Sequence, residues 1–185
     1  MRIGGVAPMR LSPQERLRLF VNKRKPTNDR RMSSTLPFRR SAHATHTRLS
    51  KAQLLPIARG VADELALHAH LALETLRAGS PDIGPAQHVA EVMLLAKFLA
   101  DAGHGNFPDE ALIEADQTIA RVFDGGREGG SWCIRADEVD RLAAIVSLYD
   151  HQLKRATLGA LTAASDRLER FKAGEPYQGL RKKRA

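Results

Sequence analysis

Aromatic residues make up only 5% of this 185-residue chain, which has a single cysteine. A lone thiol, Cys133, excludes an internal disulfide and leaves no cysteine pair for a zinc finger, so a reducing, cytoplasmic setting is expected. Long apolar runs are lacking too. The longest, Val92 to Ala100, is interrupted by Lys97 and falls far short of the ~20 residues of a membrane-spanning helix, so no membrane span is expected. The N-terminus is rich in Arg and poor in acids, as a transit peptide would be, yet it has no secretory apolar region and its prolines interrupt any long amphipathic helix. Strand signals are scarce: no β-branched run alternates over a strand's length, and Asp124-Gly125 is not flanked by two such runs. Ala and Leu instead supply most of the 43% apolar fraction, which favours helix.

The net charge of +8 is unevenly spread. Residues 1–51 carry +11, residues 52–165 carry −7 and residues 166–185 carry +4, so the basicity belongs to the ends and the middle is acidic. This asymmetry suits either a polyanion partner or ends that fold back on their own domain.

Helical periodicity organises the middle. Ser50-Lys51-Ala52-Gln53 is a capping box, but Pro56 would break a helix begun there near its second turn, so a later start or a bent first turn is expected. A first helix over 54–78 would bury Ile57, Val61, Leu65, Ala69, Ala72 and Leu76, widened by Leu67, Leu71 and Leu73, and end at Gly79. A second, over 85–102 and opened by Pro85, is apolar nearly all round and should lie at the centre. A third, over 108–123, starts with Pro108-Asp109-Glu110, acids suited to the positive end of a helix dipole. Asp124 to Gly130 reads as a mobile glycine loop. A long last helix over 136–172 carries Val139, Leu142, Val146, Tyr149 and Leu153, then more weakly Ala156, Ala160, Ala164, Leu168 and Phe171, and its second half is expected to bend at Gly159, to project or to pair with a partner. The expected fold class is all-α: an antiparallel bundle of four main helices over 50–173, with a flexible basic arm over 1–49 and a disordered basic tail over 174–185.

Catalytic and metal patterns are thin. Glu64 with His68, His88 with Glu91, and Asp150 beside His151 have suggestive spacings, but the two Glu-x-x-His motifs of a di-iron bundle are absent, and such pairs stabilise solvated helix faces. No cofactor or metal is expected. Cys133, beside Trp132 and Ile134, reads as a small buried hydrophobe, and the glycine loop lacks the Lys-Ser/Thr of a phosphate-binding loop. The paired carboxylates sit at helix starts or on polar faces, so no enzyme is expected.

The basic ends carry the functional expectation. Lys23, Arg24, Lys25, Arg30, Arg31, Arg39 and Arg40 in the arm, with Arg181, Lys182, Lys183 and Arg184 in the tail, are suited to nucleic-acid phosphates without reading sequence, and equally to solubilising disordered ends, with a protein or anionic surface as a third reading. Phe20, Phe38 and Tyr177 are the aromatics of these ends. Gly179-Leu180-Arg181-Lys182-Lys183 resembles the end of the DNA-recognition helix in the Fis family of small helical bacterial regulators. The resemblance implies a DNA-associated, regulatory role. It covers five residues; Glu175-Pro176-Tyr177-Gln178 stands where that family has the turn of its helix-turn-helix, and no residue role is carried over. The alternative to nucleic-acid association is a helical interaction or assembly module, homo-oligomeric or with a protein partner, that pairs through the end of the last helix.

Overall fold

The computed structural model describes residues 50–176, which form six α-helices and one short 3-10 helix. These are α1 (Lys51–Leu54), α2 (Arg59–Ala78), α3 (Gly84–Asp101), α4 (Asp109–Gly129), the 3-10 helix (Ala136–Glu138), α5 (Val139–Leu153) and α6 (Leu158–Lys172). The all-α expectation holds among the described residues, where the extended pairings are the isolated bridges Pro56–Thr157 and Ser80–Trp132. No described helix is long and apolar enough to cross a membrane. The basic arm and the residues of the Fis-like stretch lie outside the described residues.

Helix α3 is the hub. It packs against α2, α4, α5 and α6 and buries Val89, Val92, Met93, Leu94, Phe98 and Leu99 on several faces. Its all-round apolar sequence has this cause: a helix touched from several sides keeps little solvated surface. Its start and the start of α4 follow their sequence signals, with Pro85 in the first turn of α3, and Pro108 capping α4 ahead of Asp109 and Glu110.

The capping box at Ser50 forms in full: Gln53 N–H donates to Ser50 Oγ at 3.3 Å and Ser50 N–H to Gln53 Oε1 at 2.8 Å. Pro56 then ends the helix after one turn. Leu55 is extended, and α2 begins at Arg59, later than the expected 54.

Three expectations are corrected. On α2 the buried face is Ala62, Ala66, Ala69, Ala72, Leu73 and Leu76, which keeps the expected Ala69, Ala72, Leu73 and Leu76, while Val61, Leu67 and Leu71 are exposed, the last two at 55% and 54%. Small residues let α3 and α5 come close, and the bulkier leucines are left outside that contact. Secondly, Asp124 to Gly129 is the last part of α4 rather than a loop, and Gly130 closes the helix. The indole of Trp132 lies so close over Gly126 that a Cβ there would overlap it. Trp132 is held in place by paired backbone bonds with Ser80 of 2.9 and 2.8 Å, and Ile134 N–H donates to Leu76 O at 3.1 Å. Thirdly, the stretch expected as one helix over 136–172 is a 3-10 helix and two α-helices, interrupted between Leu153 and Leu158 rather than bent at Gly159.

The interruption has a partner. Ile57 N–H donates to Ala156 O at 3.3 Å and Leu158 N–H to Leu55 O at 2.9 Å, so the extended Leu55–Ile57 segment pairs with the break. Thr157 caps the new helix, its side chain accepting from Ala160 N–H at 3.2 Å. Gly159 allows the approach of α1: a Cβ there would stand 2.9 Å from Gln53 O. Ala164, Leu168 and Phe171 of α6 are buried within this chain, and α6 packs on α3 and α1.

Candidate functional site

All eleven residues expected to contact phosphate, Lys23 to Arg40 and Arg181 to Arg184 as named above, lie outside the described residues. The described part bears on them through its own charges. Residues 50–176 hold 13 Lys and Arg, and 10 of these form ion pairs with carboxylates of the same chain. The folded part therefore neutralises most of its own cations internally.

The strongest of these pairings sits where α3 ends. Lys97 is buried, and its Nζ donates to Asp109 Oδ1 at 2.7 Å, Asp101 Oδ1 at 3.1 Å and the Phe107 carbonyl at 3.1 Å. Asp101 also accepts from Arg167 at 3.2 Å, and that guanidinium lies 4.1 Å from the centroid of the Phe98 ring. One ammonium thus ties α3 to the start of α4, while one guanidinium ties α3 to α6. Lys172 adds a second α3–α6 tie, 2.8 Å from Glu91; burial, the largest single effect, pushes its ammonium down, but the hydrogen bonds it donates to Glu91 and Glu169, with the charges of those carboxylates, together hold it above the usual lysine range. On the other side, Glu138 is buried against Arg121, and Arg121 and Arg141 both donate to Thr118 Oγ1, at 3.2 and 3.3 Å. These groups hold helices together.

Three described cations have no carboxylate partner among the described residues: Lys51, Arg155 and Arg170. Arg155 lines a cleft of about 290 Å³ between the Gly103-His104-Gly105 loop and the C-terminal end of α5, together with Leu148, His151 and Gln152. Gly103 and Gly105 have φ of +96° and +93°, which turns the loop back over the end of α3. Gln152 fastens it there: its Nε2 donates to Ala96 O at 2.9 Å and His104 O at 2.7 Å. Two carbonyl acceptors fix the orientation of the amide, and its Oε1 is buried from solvent without a partner among the described residues. His151 Nδ1 lies 2.7 Å from Ser147 O and so carries a proton, leaving Nε2 to face other groups. Sequence reasoning missed this cleft, because its residues belong to a loop and to a helix end that was read as mid-helix.

The other sites weighed from sequence do not come together. Among the described residues no group of three or more His, Cys, Asp or Glu is placed to hold a metal ion. Cys133 is exposed, contrary to the buried reading, because Trp132 and Ile134 turn inward on either side of it. Tyr149 is buried, and burial pushes its phenol up to about 12. Burial also lowers the His88 imidazole, outweighing the attraction of Glu91, while His68 adds to the lowering. His88 Nε2 has no partner among the described residues. The unfolded chain therefore takes up this proton first, and the contribution of His88 to stability, present above the unfolded value of about 6.5, is lost as pH falls through the lower folded value. We expect His88→Phe to reduce the loss of stability between neutral and mildly acidic pH, measured by urea unfolding at both.

Comparison with known protein families, curated proteins and solved structures finds no match to this chain.

Proposed function

We propose that the protein is a non-enzymatic, nucleic-acid-associated protein in which a four-helix-type antiparallel bundle carries two cationic ends to phosphate without reading base sequence. The observation that carries this reading is the division of charge. Of the cations over residues 50–176, 10 are engaged with the chain's own carboxylates, whereas residues 1–49 hold 12 Lys and Arg against two acids and residues 177–185 hold four against none. Binding to a polyanion is driven by protein cations that replace its condensed counterions and free them to solution, and residues 1–49 and 177–185 hold such cations in excess over their own acids. A regulatory role of the Fis-like kind would use such binding, with the arm and the tail on one duplex.

Purification gives the first test. The protein isolated at low salt should carry nucleic acid, seen as a raised ratio of absorbance at 260 to 280 nm, and lose it in a high-salt wash. A protein-like ratio at low salt, together with no binding to added duplex, would count against the proposal.

A second reading, an assembly module, is favoured by one observation. Leu54, Leu55 and Leu158 are exposed, and the bond from Leu158 N–H to Leu55 O brings two of them together at one corner. These leucines make an exposed apolar corner between α1 and α6, in addition to the exposed Val61, Leu67 and Leu71 of α2 and Ile113 of α4, while the inner stripe of the last helix is occupied within the chain.

A further inference from the structure

We propose that the cleft between the Gly103-His104-Gly105 loop and the end of α5 binds a phosphate group. This goes beyond the role of the ends, because it assigns a discrete site to the folded part. Three features converge on it. The titratable and charged side chains lining the cleft are His104, His151 and Arg155, with no carboxylate among the lining residues. In a region whose acids outnumber its bases, such a lining is selective. Arg155 is one of three described cations without a carboxylate partner among the described residues, and it lines this cleft. A guanidinium presents a planar set of donors that matches phosphate oxygens.

The remaining groups suit the same ligand. His151 lines the cleft with Nδ1 engaged by Ser147 O, which leaves Nε2 as the ring atom that donates to an anion once the ring is protonated. The acceptor atom of the Gln152 amide, Oε1, is buried from solvent, while the Gln152 Nε2 bonds hold the loop that forms one wall. The volume of about 290 Å³ lies at the lower end of ligand pockets, room for a phosphate with a small attached group. Two sources share this chemistry: free phosphate or a small phosphorylated molecule, and the backbone of a nucleic acid brought near by the basic ends.

The test follows histidine imidazole resonances of the full-length protein by NMR while inorganic phosphate is added, and separately while a short DNA duplex is added. The His104 and His151 signals should shift saturably, whereas those of the exposed His68 and His70 on α2 stay in place. Arg155→Ala, which removes an exposed side chain with no ion-pair partner among the described residues, should weaken that response about tenfold, the scale of one charge-assisted hydrogen bond. Its thermal melt should be unchanged, which separates loss of the site from loss of the fold. A response to inorganic phosphate assigns the small-ligand source, and one to duplex alone, still lost in Arg155→Ala, assigns the backbone. Shifts spread equally over all histidines, an unaltered response in Arg155→Ala, or no shift with either probe would overturn the proposal.

Discussion

Lys97→Met is expected to destabilise the folded domain by about 2–4 kcal/mol, toward the range seen when a buried ion pair loses one partner. Methionine keeps the volume of the stem and removes the ammonium, so the effect isolates the charge rather than a cavity. Asp101 would keep Arg167, which holds the cost below that of an orphaned carboxylate, but the Phe107 carbonyl would lose its donor beside a buried ring. Asp109 is the informative comparison. It also touches Lys97, at 2.7 Å, yet its side chain is 77% exposed, so Asp109→Asn should cost no more than about 1 kcal/mol. Denaturant unfolding of both variants measures the difference, and equal costs would mean that the ammonium acts mainly through its exposed partner.

Gly126→Ala is expected to destabilise by about 1–3 kcal/mol, the usual penalty for forcing an extra carbon into a packed site. The reason is local: the Trp132 indole occupies the space a Cβ would need, and Trp132 is fixed by its backbone bonds to Ser80. The neighbouring Gly125 gives the opposite result. A Cβ at Gly125 meets nothing within 4 Å, so Gly125→Ala should stabilise the helix by about 0.5–1 kcal/mol through its higher helix propensity. Thermal or urea unfolding of the pair checks both signs. Stabilisation by both substitutions would show that the Trp132 packing is soft.

These two sites also show what the sequence made legible and what it did not. The position of α3 was readable because a helix touched from several sides needs apolar residues around its whole circumference, and the capping box at Ser50 was readable because its signals lie within four residues. The glycines of 125–130 were misread for a non-local reason. Glycine in isolation marks a loop, and only the return of Trp132 onto Gly126 makes its missing side chain a packing feature. The break at 154–157 was missed in the same way. Periodicity continues through it, and its partner is the extended Leu55–Ile57 segment, about a hundred residues earlier. On α2 hydrophobicity adds Leu67 and Leu71 to the stripe that holds Ala69 and Ala72, but close helix contact selects the small residues. The cleft was hidden for a related reason: Arg155 and His151 line it only because α5 ends there.

We propose that cations at the ends, rather than those paired within the helices, make the main contact with nucleic acid. The most direct measurement is fluorescence anisotropy of a short DNA duplex, across a salt series, with the full chain and with a variant carrying Gln at the eleven arm and tail positions named above. If six or more of those cations meet phosphates, affinity for the unaltered chain should fall by a factor of about a thousand or more between 50 and 200 mM salt. The Gln variant should bind weakly and with a much shallower salt slope. Binding of the same strength and slope in both proteins would contradict the account and move the contact to the folded helices.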